Sequence, residues 1–157
     1  MTNPRPLDGI RVIEVGQLLA GPFAGTFLGY FGAEVIKVEP PRGDGYRNIP
    51  PFLPDHASPY EDREAGTDFG APFASVNRNK RSLALDITSP EGQQIIRDLV
   101  KSCDVVIENY KVGGLQQYGL DYESLHSQLP ELIYCSVTGF GQTGPYAKNP
   151  GYDFMIQ

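Results

Sequence analysis

Short apolar runs alternate with helical periods along the chain, and the clearest example lies near the amino terminus. Ile10 to Val15 is apolar and β-branched, which predicts a buried strand. Apolar side chains then recur at helical spacing, at Phe23, Phe27, Leu28 and Phe31. Ala33 to Val38 predicts the next strand. A strand–helix–strand unit this short joins parallel strands by a right-handed crossover, so an α/β fold is expected.

Glycine and proline mark the boundaries of this unit. Gly16 and Gly21 are expected to supply unusual backbone angles in the turn after the first strand. Pro22 suits a first helical turn, and Gly32 suits the end of the helix. These signals predict a tight glycine turn that leads directly into a helix.

The same alternation continues to the carboxyl end. Further strands are predicted at 83–87, 104–108 and 132–137. Ser89 is a predicted N-cap before Pro90. The buried stripe of that helix is predicted to be Ile95, Ile96, Leu99 and Val100. Together the five strands and intervening helices predict a Rossmann-like, doubly wound domain with a mainly parallel sheet.

Smaller elements complete the prediction. Residues 113–119 predict a short helix closed by glycine, and Asp121 is expected to cap a helix that carries Leu125 and Leu129. Residues 40–74 are rich in Pro, Gly, Asp and Glu without sustained periodicity, which predicts a functional loop or a lid. The final residues read as the start of a helix. Residues 1–157 are therefore expected to form an amino-terminal domain that is incomplete at its carboxyl end.

Composition narrows the possible partners. The 157 residues carry a net charge of −6, which argues against a nucleic-acid or anionic-membrane surface. Arg78, Lys80 and Arg81 form a small basic cluster that suits either an anionic ligand or a solvated loop. The sequence has no run of membrane-spanning length and no leader segment, which favours a cytoplasmic location.

Cysteine and histidine give no sign of metal or disulfide chemistry. Cys103 and Cys135 lack C-x-x-C spacing, and they are expected to be buried, inert thiols in a reducing compartment. His56 and His126 have no companion at metal-ligand spacing, so no metal site is predicted.

The glycine turn only partly matches the known nucleotide-binding motifs. Gly16 and Gly21 have P-loop spacing, but the Lys and Ser/Thr that should follow are missing. The chain also lacks G-x-G-x-x-G, so NAD or ATP binding through these motifs is disfavoured. The helix that begins near Pro22 could still direct N–H groups at an anion, as any helix can.

Several segments, in order, resemble the amino-terminal part of family III CoA-transferases. They are L-D-G-I-R-V-I-E-V, L-L-A-G-P-F-A, G-A-E-V-I-K-V-E-P-P-R-G-D, N-R-N-K-R-S-L-A-L-D, V-V-I-E-N-Y, I-Y-C-S-V-T-G-F-G-Q-T-G-P-Y and P-G-Y-D. This family includes formyl-CoA transferase, carnitine CoA-transferase and the α-methylacyl-CoA racemases. The matches run from Pro6 to Asp153, with a poor match at 49–72.

The resemblance implies that this domain binds coenzyme A or an acyl-CoA as a substrate, with no permanently bound cofactor. The implied contacts are Leu19, Ala20, Pro40, Leu85, Asp86, Ile87, Thr88, Asn109, Tyr110, Lys111, Gln117 and 150–153, which includes Tyr152. Asn109 has two open interpretations, as a ligand contact or as a residue that satisfies the turn at a strand end. Tyr110 likewise either lies against the adenine or packs in the core.

Some of these positions depart from the pattern of formyl-CoA transferases. Leu19 replaces a Gln near the acyl group, which disfavours a formyl/oxalate enzyme. Basic side chains are replaced at Pro40, Thr88 and Gln117, so other cations would have to hold the CoA phosphates. The candidates are Arg42, Arg78, Lys80 and Arg81, since guanidinium groups in particular suit phosphate.

Two adjacent residues bear on the reaction. Tyr152 stands where the racemases carry a proton-transferring His, and a phenol with a pKa of about 10 is a poor substitute. Transfer is therefore favoured over racemisation. Asp153 corresponds to a carboxylate that assists catalysis, although on sequence alone it also suits a helix cap.

The resemblance places the nucleophilic Asp in a Gly-Asp motif further along than Gln157. In the family this Asp attacks the acyl-CoA to form an anhydride, and CoA then returns to give an enzyme thioester. The full-length protein is thus expected to be a CoA-transferase and an interlocked homodimer that acts on small molecules. The alternatives are a racemase-like isomerase and a non-catalytic CoA-binding or dimerisation fragment.

Overall fold

The computed structural model describes residues 4–52 and 70–156. It contains a five-stranded sheet in which all neighbouring strands run parallel, in the order β3-β2-β1-β4-β5. The strands are β1 Arg11–Val15, β2 Glu34–Glu39, β3 Lys80–Ala84, β4 Val105–Glu108 and β5 Ile133–Ser136. The predicted Rossmann-like α/β architecture is therefore confirmed.

Helices connect the strands. They are α1 Ala20–Tyr30, α2 Ala71–Ser75, α3 Pro90–Val100, α4 Tyr122–His126 and α5 Asp153–Ile156, with 3₁₀ turns at Gly45–Asn48 and Gln116–Tyr118. Ser89 caps α3 as predicted, since its hydroxyl accepts a hydrogen bond from Gly92 N at 3.0 Å. Gly32 and Gly119 close their elements with φ of 114° and 63°. Asp121 precedes α4 without accepting a backbone N–H, and its carboxylate accepts the Ser124 hydroxyl instead.

The third strand was predicted at the wrong position. It spans Lys80–Ala84, whereas the sequence predicted 83–87. The Asp86 carbonyl accepts a hydrogen bond from Ser89 N and the Asp86 carboxylate accepts one from Thr88 N, which turns the chain toward α3. β3 lies at the sheet edge and is half-exposed, so its polar residues lack the apolar pattern of a buried strand. The turn that follows contains apolar residues, and these gave the strand pattern instead.

The helix α3 covers an apolar core on one face of the sheet. Ile96 and Val100 are each 1% exposed, whereas Ile95 is 43% exposed and was wrongly predicted to be buried. The buried members of this core are Ile13, Val15, Val38, Ile96, Val100, Val106, Leu115, Leu120, Leu125 and Leu132.

The helix α1 covers the opposite face with small residues. Its buried positions are Gly21, Pro22, Gly25, Thr26 and Gly29. Phe23 and Phe27 project outward instead, with 46% and 47% exposure. A Cβ on Gly25 would overlap the Glu14 carboxylate, so the small face lets α1 approach a charged patch of the sheet.

Two other predictions need correction. Gly16 and Gly21 do not have positive φ, and the residue in the left-handed region of this loop is Leu18, with φ 62°. The two glycines are needed for space, since a Cβ on either would lie 3.1 Å from the Asn109 side chain. Cys135 is exposed rather than buried because it lies on β5 at the sheet edge, and Cys103 is half-buried.

The predicted loop at 40–74 is only partly within the described residues. Its described ends contain the 3₁₀ turn Gly45–Asn48 and the helix α2, and Phe52 forms an isolated bridge with Gly70. Residues 53–69, including His56, lie outside the described residues, so the proposed lid is not tested.

Candidate functional site

The candidate site lies at the carboxyl ends of the parallel strands. The strand order reverses between β1 and β4, and such switch points form the ligand crevices of open α/β sheets. The segment 16–19 connects β1 to α1 there, and we call it the β1–α1 loop. Asn109 and Tyr110 follow β4 at the same edge.

Most of the sequence-predicted contacts line two adjoining cavities. The first, of about 240 Å³, is lined by residues that include Pro40, Leu85, Asp86, Ile87, Thr88 and Tyr110. The second, of about 410 Å³, is lined by residues that include Ala20, Asn109, Tyr110, Lys111, Gly151 and Tyr152. Tyr110 lines both cavities, so this residue lies where they meet. The structure thus places Leu85–Thr88 with Tyr110, and Asn109 in the neighbouring cavity.

Two predicted contacts lie outside both linings. Leu19 is half-exposed in the β1–α1 loop, next to Ala20. Gln117 is in the 3₁₀ turn, and its side chain donates a hydrogen bond to the Gly114 carbonyl at 3.1 Å. A larger cavity of about 800 Å³ lies beyond Lys111, toward α4, and Glu108 and Tyr134 contribute to its walls.

The side chain of Asn109 holds the β1–α1 loop. Its Oδ1 accepts from Gln17 N at 2.9 Å, and its Nδ2 donates to the Gln17 carbonyl at 2.8 Å. One carboxamide therefore satisfies both backbone groups of a single residue. This geometry shows the turn-satisfying role that the sequence left open, and any ligand contact by Asn109 is additional to it.

Asp44 holds the same loop from the other side. This fully buried carboxylate accepts from Leu18 N at 3.1 Å and from Tyr46 N at 2.9 Å. Lys37 Nζ lies 2.9 Å from Asp44 and donates to the Gly16 carbonyl at 2.8 Å. Side chains from two directions thus fix the loop backbone.

A charged patch beneath α1 continues from Lys37. Lys37 Nζ is 3.1 Å from Glu14 Oε1, and Lys80 Nζ is 2.6 Å from Glu14 Oε2. The Oε2 atom makes no other hydrogen bond in the described chain, but the Lys80 ammonium balances its charge. Burial lowers the pKa of Lys80 to about 8, and the Glu14 carboxylate opposes this shift.

Glu39 anchors the turn that carries Asp44. Its carboxylate accepts two hydrogen bonds from Arg47 at 2.7 Å, one from Ser82 at 2.7 Å and one from Asp44 N at 2.9 Å. Burial alone would raise the pKa of Glu39, but these donors outweigh it and lower the pKa to about 2. The turn after β2 is therefore held by ionised groups.

Burial raises the pKa of two groups at the end of β4, Tyr110 and Glu108. Burial raises the pKa of the phenol of Tyr110, a residue that lines both cavities. Burial also raises the pKa of Glu108, although its carboxylate accepts a hydrogen bond from Tyr110 N at 2.7 Å.

The candidate phosphate ligands divide into two groups. Lys80 is buried against Glu14, and Arg81 pairs with Glu34 at 2.8 Å toward the amino ends of the strands. Neither residue lines the two cavities, and a role for either in binding phosphate stays a prediction. Arg42 and Arg78 are exposed, and Arg42 follows the cavity residue Pro40. Lys111 lines the second cavity directly.

The segment 150–152 reaches the second cavity through a close backbone crossing. A Cβ on Gly139 would overlap the backbone of Gly151, and a Cβ on Gly151 would overlap that of Gly139. Tyr152 follows this crossing and is largely exposed. Asp153 begins α5, as the sequence predicted for a helix start, but its side chain lies outside the described part of the chain.

Residues 4–52 and 70–156 contain neither a metal-binding cluster nor a membrane-spanning helix. No group of three or more His, Cys, Asp or Glu side chains in these ranges has metal-binding geometry. No helix in the same ranges is both long enough and apolar enough to cross a membrane.

The sequence did not predict the roles of Glu14, Lys37 and Asp44. Glu14 and Lys37 do carry a signal, since each is a charge within an otherwise apolar strand and the two are register partners in the parallel pair. Asp44 carries none, because an Asp between two glycines reads as an ordinary turn residue.

This arrangement defines a Rossmann-like α/β protein with a crevice at the switch point of its sheet. The model of CoA-transferase family III matches residues 7–157. The chain therefore belongs to CoA-transferase family III, as its sequence resemblance indicated.

Related proteins agree with this assignment. The chain is 51% identical to succinate–glutarate CoA-transferase from Agrobacterium fabrum, over 97% of this chain and 37% of the relative. It is 46% identical to human succinyl-CoA:glutarate CoA-transferase, over 98% of this chain and 32% of the relative. A crystal structure of a CaiB/BaiF family protein from Brucella suis superposes with a TM-score of 0.85 at 50% identity, covering 99% of this chain and 39% of that one. The chain thus spans about a third of the length of these curated relatives.

Proposed function

We propose that the full-length protein transfers CoA from an acyl-CoA to a carboxylic acid, and that this chain supplies much of its CoA-binding crevice. One observation carries the proposal. Most of the contacts implied by the resemblance, which are scattered between residues 20 and 152, line two adjoining cavities at one edge of the sheet. Tyr110 stands where the cavities meet, so one extended ligand could occupy both.

The proposed reaction proceeds through covalent intermediates on an Asp in a downstream Gly-Asp motif. The Asp carboxylate attacks the thioester carbonyl, and CoA thiolate leaves as an enzyme anhydride forms. The thiolate then attacks the Asp carbonyl of the anhydride, which releases the donor acid and leaves an enzyme thioester. The acceptor carboxylate attacks that thioester, and the returning thiolate converts the second anhydride into the new acyl-CoA. In this scheme Asp153 has a supporting role.

The substrate class proposed is a short dicarboxylic acid. The names of the relatives specify succinate and glutarate, D-citramalate and mesaconate, all of which carry two carboxylates. Leu19 is compatible with this class, because it stands where formyl-CoA transferases carry a Gln. We therefore propose succinyl-CoA as donor and a four- or five-carbon dicarboxylate as acceptor.

Cations at the mouth of the crevice are proposed to hold the CoA phosphates. Lys111 lines the second cavity, and Arg42 is exposed two residues after Pro40, which lines the first. These two residues would replace the basic side chains that are absent at Pro40, Thr88 and Gln117. The cytoplasmic location, the homodimeric state and the absence of nucleic-acid or membrane binding stay predictions from the sequence.

The test uses the complete reading frame that contains this sequence. The purified protein is incubated with succinyl-CoA and glutarate, and glutaryl-CoA is measured by mass spectrometry. Tyr110→Ala is expected to raise the KM for succinyl-CoA about tenfold, which corresponds to about 1.4 kcal/mol of binding. Tyr30→Ala, which removes a half-exposed ring from α1 far along the helix, is the matched control and should leave KM unchanged.

Alternative outcomes separate the remaining interpretations. Absence of transfer with every short dicarboxylate would overturn the proposal. Deuterium uptake at the α-carbon of a 2-methylacyl-CoA would instead identify a racemase, which Tyr152 disfavours. A reading frame without a downstream Gly-Asp motif would favour a non-catalytic CoA-binding protein.

A further inference from the structure

Asp44 is a fully buried acid that the proposed reaction does not use. It follows β2 at the carboxyl edge of the sheet, yet its carboxylate points at a different segment, the β1–α1 loop. Its partners are two backbone N–H groups, from Leu18 and Tyr46, and the Lys37 ammonium. All three partners are donors, so the site is built for an acceptor with two oxygens.

The loop that Asp44 holds has a backbone that would not persist unaided. Leu18 has φ 62°, in the left-handed region that non-glycine residues rarely adopt. Its side chain is 52% exposed, so packing of that side chain does not fix the conformation. The hydrogen bond from Leu18 N to the buried Asp44 carboxylate restrains this backbone directly.

Asn109 completes the restraint from the opposite side. Its carboxamide binds both backbone groups of Gln17, and Lys37 binds the Gly16 carbonyl. Three consecutive loop residues are thus tied to side chains from β2, the turn after β2 and the end of β4. The loop leads directly to Ala20, which lines the second cavity.

We propose that Asp44 is a positioning residue that fixes the β1–α1 loop in the geometry required for CoA transfer, an inference that rests on the proposed function. Asp44 acts through the loop, because Gln17, next to the Leu18 that it binds, lines the first cavity and Ala20 lines the second. A displacement of about 1 Å in such a segment is sufficient to slow a reaction about 100-fold.

Asparagine at this position is an informative substitution. The side chain keeps its size, but one acceptor oxygen becomes an NH₂ group that would face either a backbone N–H or the Lys37 ammonium. Asp44→Asn therefore replaces one attraction with a contact between donors. Thr26→Val is the matched control, since Thr26 is also buried and hydrogen-bonded, but its hydroxyl donates to the Pro22 and Val76 carbonyls and not to residues 16–19.

The experiment compares these variants in the full-length protein. We expect Asp44→Asn to lower kcat about 10- to 100-fold, with the KM for succinyl-CoA changed less than about threefold. Thr26→Val should keep kcat within about twofold. Hydrogen–deuterium exchange supplies a second readout, and a peptide covering residues 16–19 should exchange faster in Asp44→Asn than in the wild type or in Thr26→Val.

The outcomes separate this inference from the function on which it rests. An active wild type with an equally active, folded Asp44→Asn variant overturns the positioning role and leaves CoA transfer intact. An inactive wild type overturns the proposed function instead. If Asp44→Asn does not fold, Asn109→Asp replaces it and perturbs the loop from its other side. Hydrogen–deuterium exchange of residues 16–19 in the wild type then decides whether the loop is held. Rapid exchange of residues 16–19 in the wild type would show that the loop is not held.

Discussion

The two faces of the central sheet are stabilised by different means. On the α3 face, strand residues such as Ile13 and Val106 pack into an apolar core with α3 and the segments after β4. On the α1 face, the apolar side chains near the amino ends of the strands give way to Glu14 and Lys37 near the carboxyl ends. Successive side chains of these strands thus alternate between the apolar α3 face and the α1 face, where the positions near the carboxyl ends carry paired charges.

The difference concerns orientation as much as stability. Apolar contacts are non-directional, so the α3 face holds the sheet together without specifying the path of a particular loop. Hydrogen-bonded ions are directional, and those on the α1 face end on the backbone of residues 16–18. The charged face is therefore suited to fixing the crevice, and the apolar face to keeping the domain folded.

The largest expected effect comes from opening the charged patch. Glu14→Ala removes the carboxylate between Lys37 and Lys80, so Lys37 keeps Asp44 as an acidic partner but the buried Lys80 ammonium loses the carboxylate that balances it in the described chain. We expect the free energy of unfolding to fall by about 3–5 kcal/mol, since removing one member of a buried ion pair strands the other. Urea denaturation followed by circular dichroism measures this change.

Glu34→Ala is the control for this experiment. Glu34 also pairs with two arginines across the sheet, but those pairs are exposed to solvent. The unfolding curve should coincide with that of the wild type. Equal losses for the two variants would show that burial does not distinguish the charged patch.

The apolar face should respond strongly in stability and weakly in function. Ile96→Ala is expected to lower the free energy of unfolding by about 2–5 kcal/mol, because it leaves a cavity against Ile13 and Val100. Ile95→Ala removes the same atoms from an exposed position and should change stability by less than about 0.5 kcal/mol. Turnover per folded molecule should match the wild type in both variants, and a loss in Ile96→Ala would contradict the separation of roles.

Acid should weaken the charged face selectively. The pKa of Glu39 is about 2 in the folded protein and 4.5 when unperturbed, so its stabilising contribution is complete above the unfolded value. That contribution is lost as the pH falls from about 4.5 through 2, and it amounts to about 3 kcal/mol. Glu39→Gln should therefore flatten the acid limb of a plot of unfolding free energy against pH, and an unchanged limb would refute this assignment.

The smallest effect concerns the cap of α3. Ser89→Ala removes the acceptor for Gly92 N and should cost about 1 kcal/mol. Ser127→Ala removes an exposed hydroxyl that only donates to the Ser124 carbonyl, and thermal unfolding should barely change. A shift of equal size in both variants would indicate that the cap does not contribute specifically.

The sequence predicted the fold well where local patterns dominate. β1, β2, β4 and β5 are confirmed to within about one or two residues, because each lies in a mostly apolar run, including β5 at the sheet edge. β3 was shifted because its edge position leaves it polar, and Ile95 was misplaced because an apolar residue at the margin of a helical stripe can face water. Both errors arise from neighbours that are distant in sequence.

The candidate site was predictable in outline only. The resemblance marked Asn109 and Tyr110, but the hydrogen bonds of Asn109 to Gln17 join residues 92 apart. Asp44 and Leu18 are 26 apart, and neither residue has an unusual local pattern. Such contacts depend on the sheet order, which brings the ends of β1, β2 and β4 together.

The crossing of Gly139 and Gly151 has a consequence for sequence variation. Each residue leaves the space that the backbone of the other occupies, so a methyl group at either position meets main chain rather than an adjustable side chain. A small residue at one position therefore cannot compensate for a larger residue at the other. A saturation library of the gene, selected for function, should retain glycine at both sites and yield no paired suppressors, unlike two side chains that share a cavity.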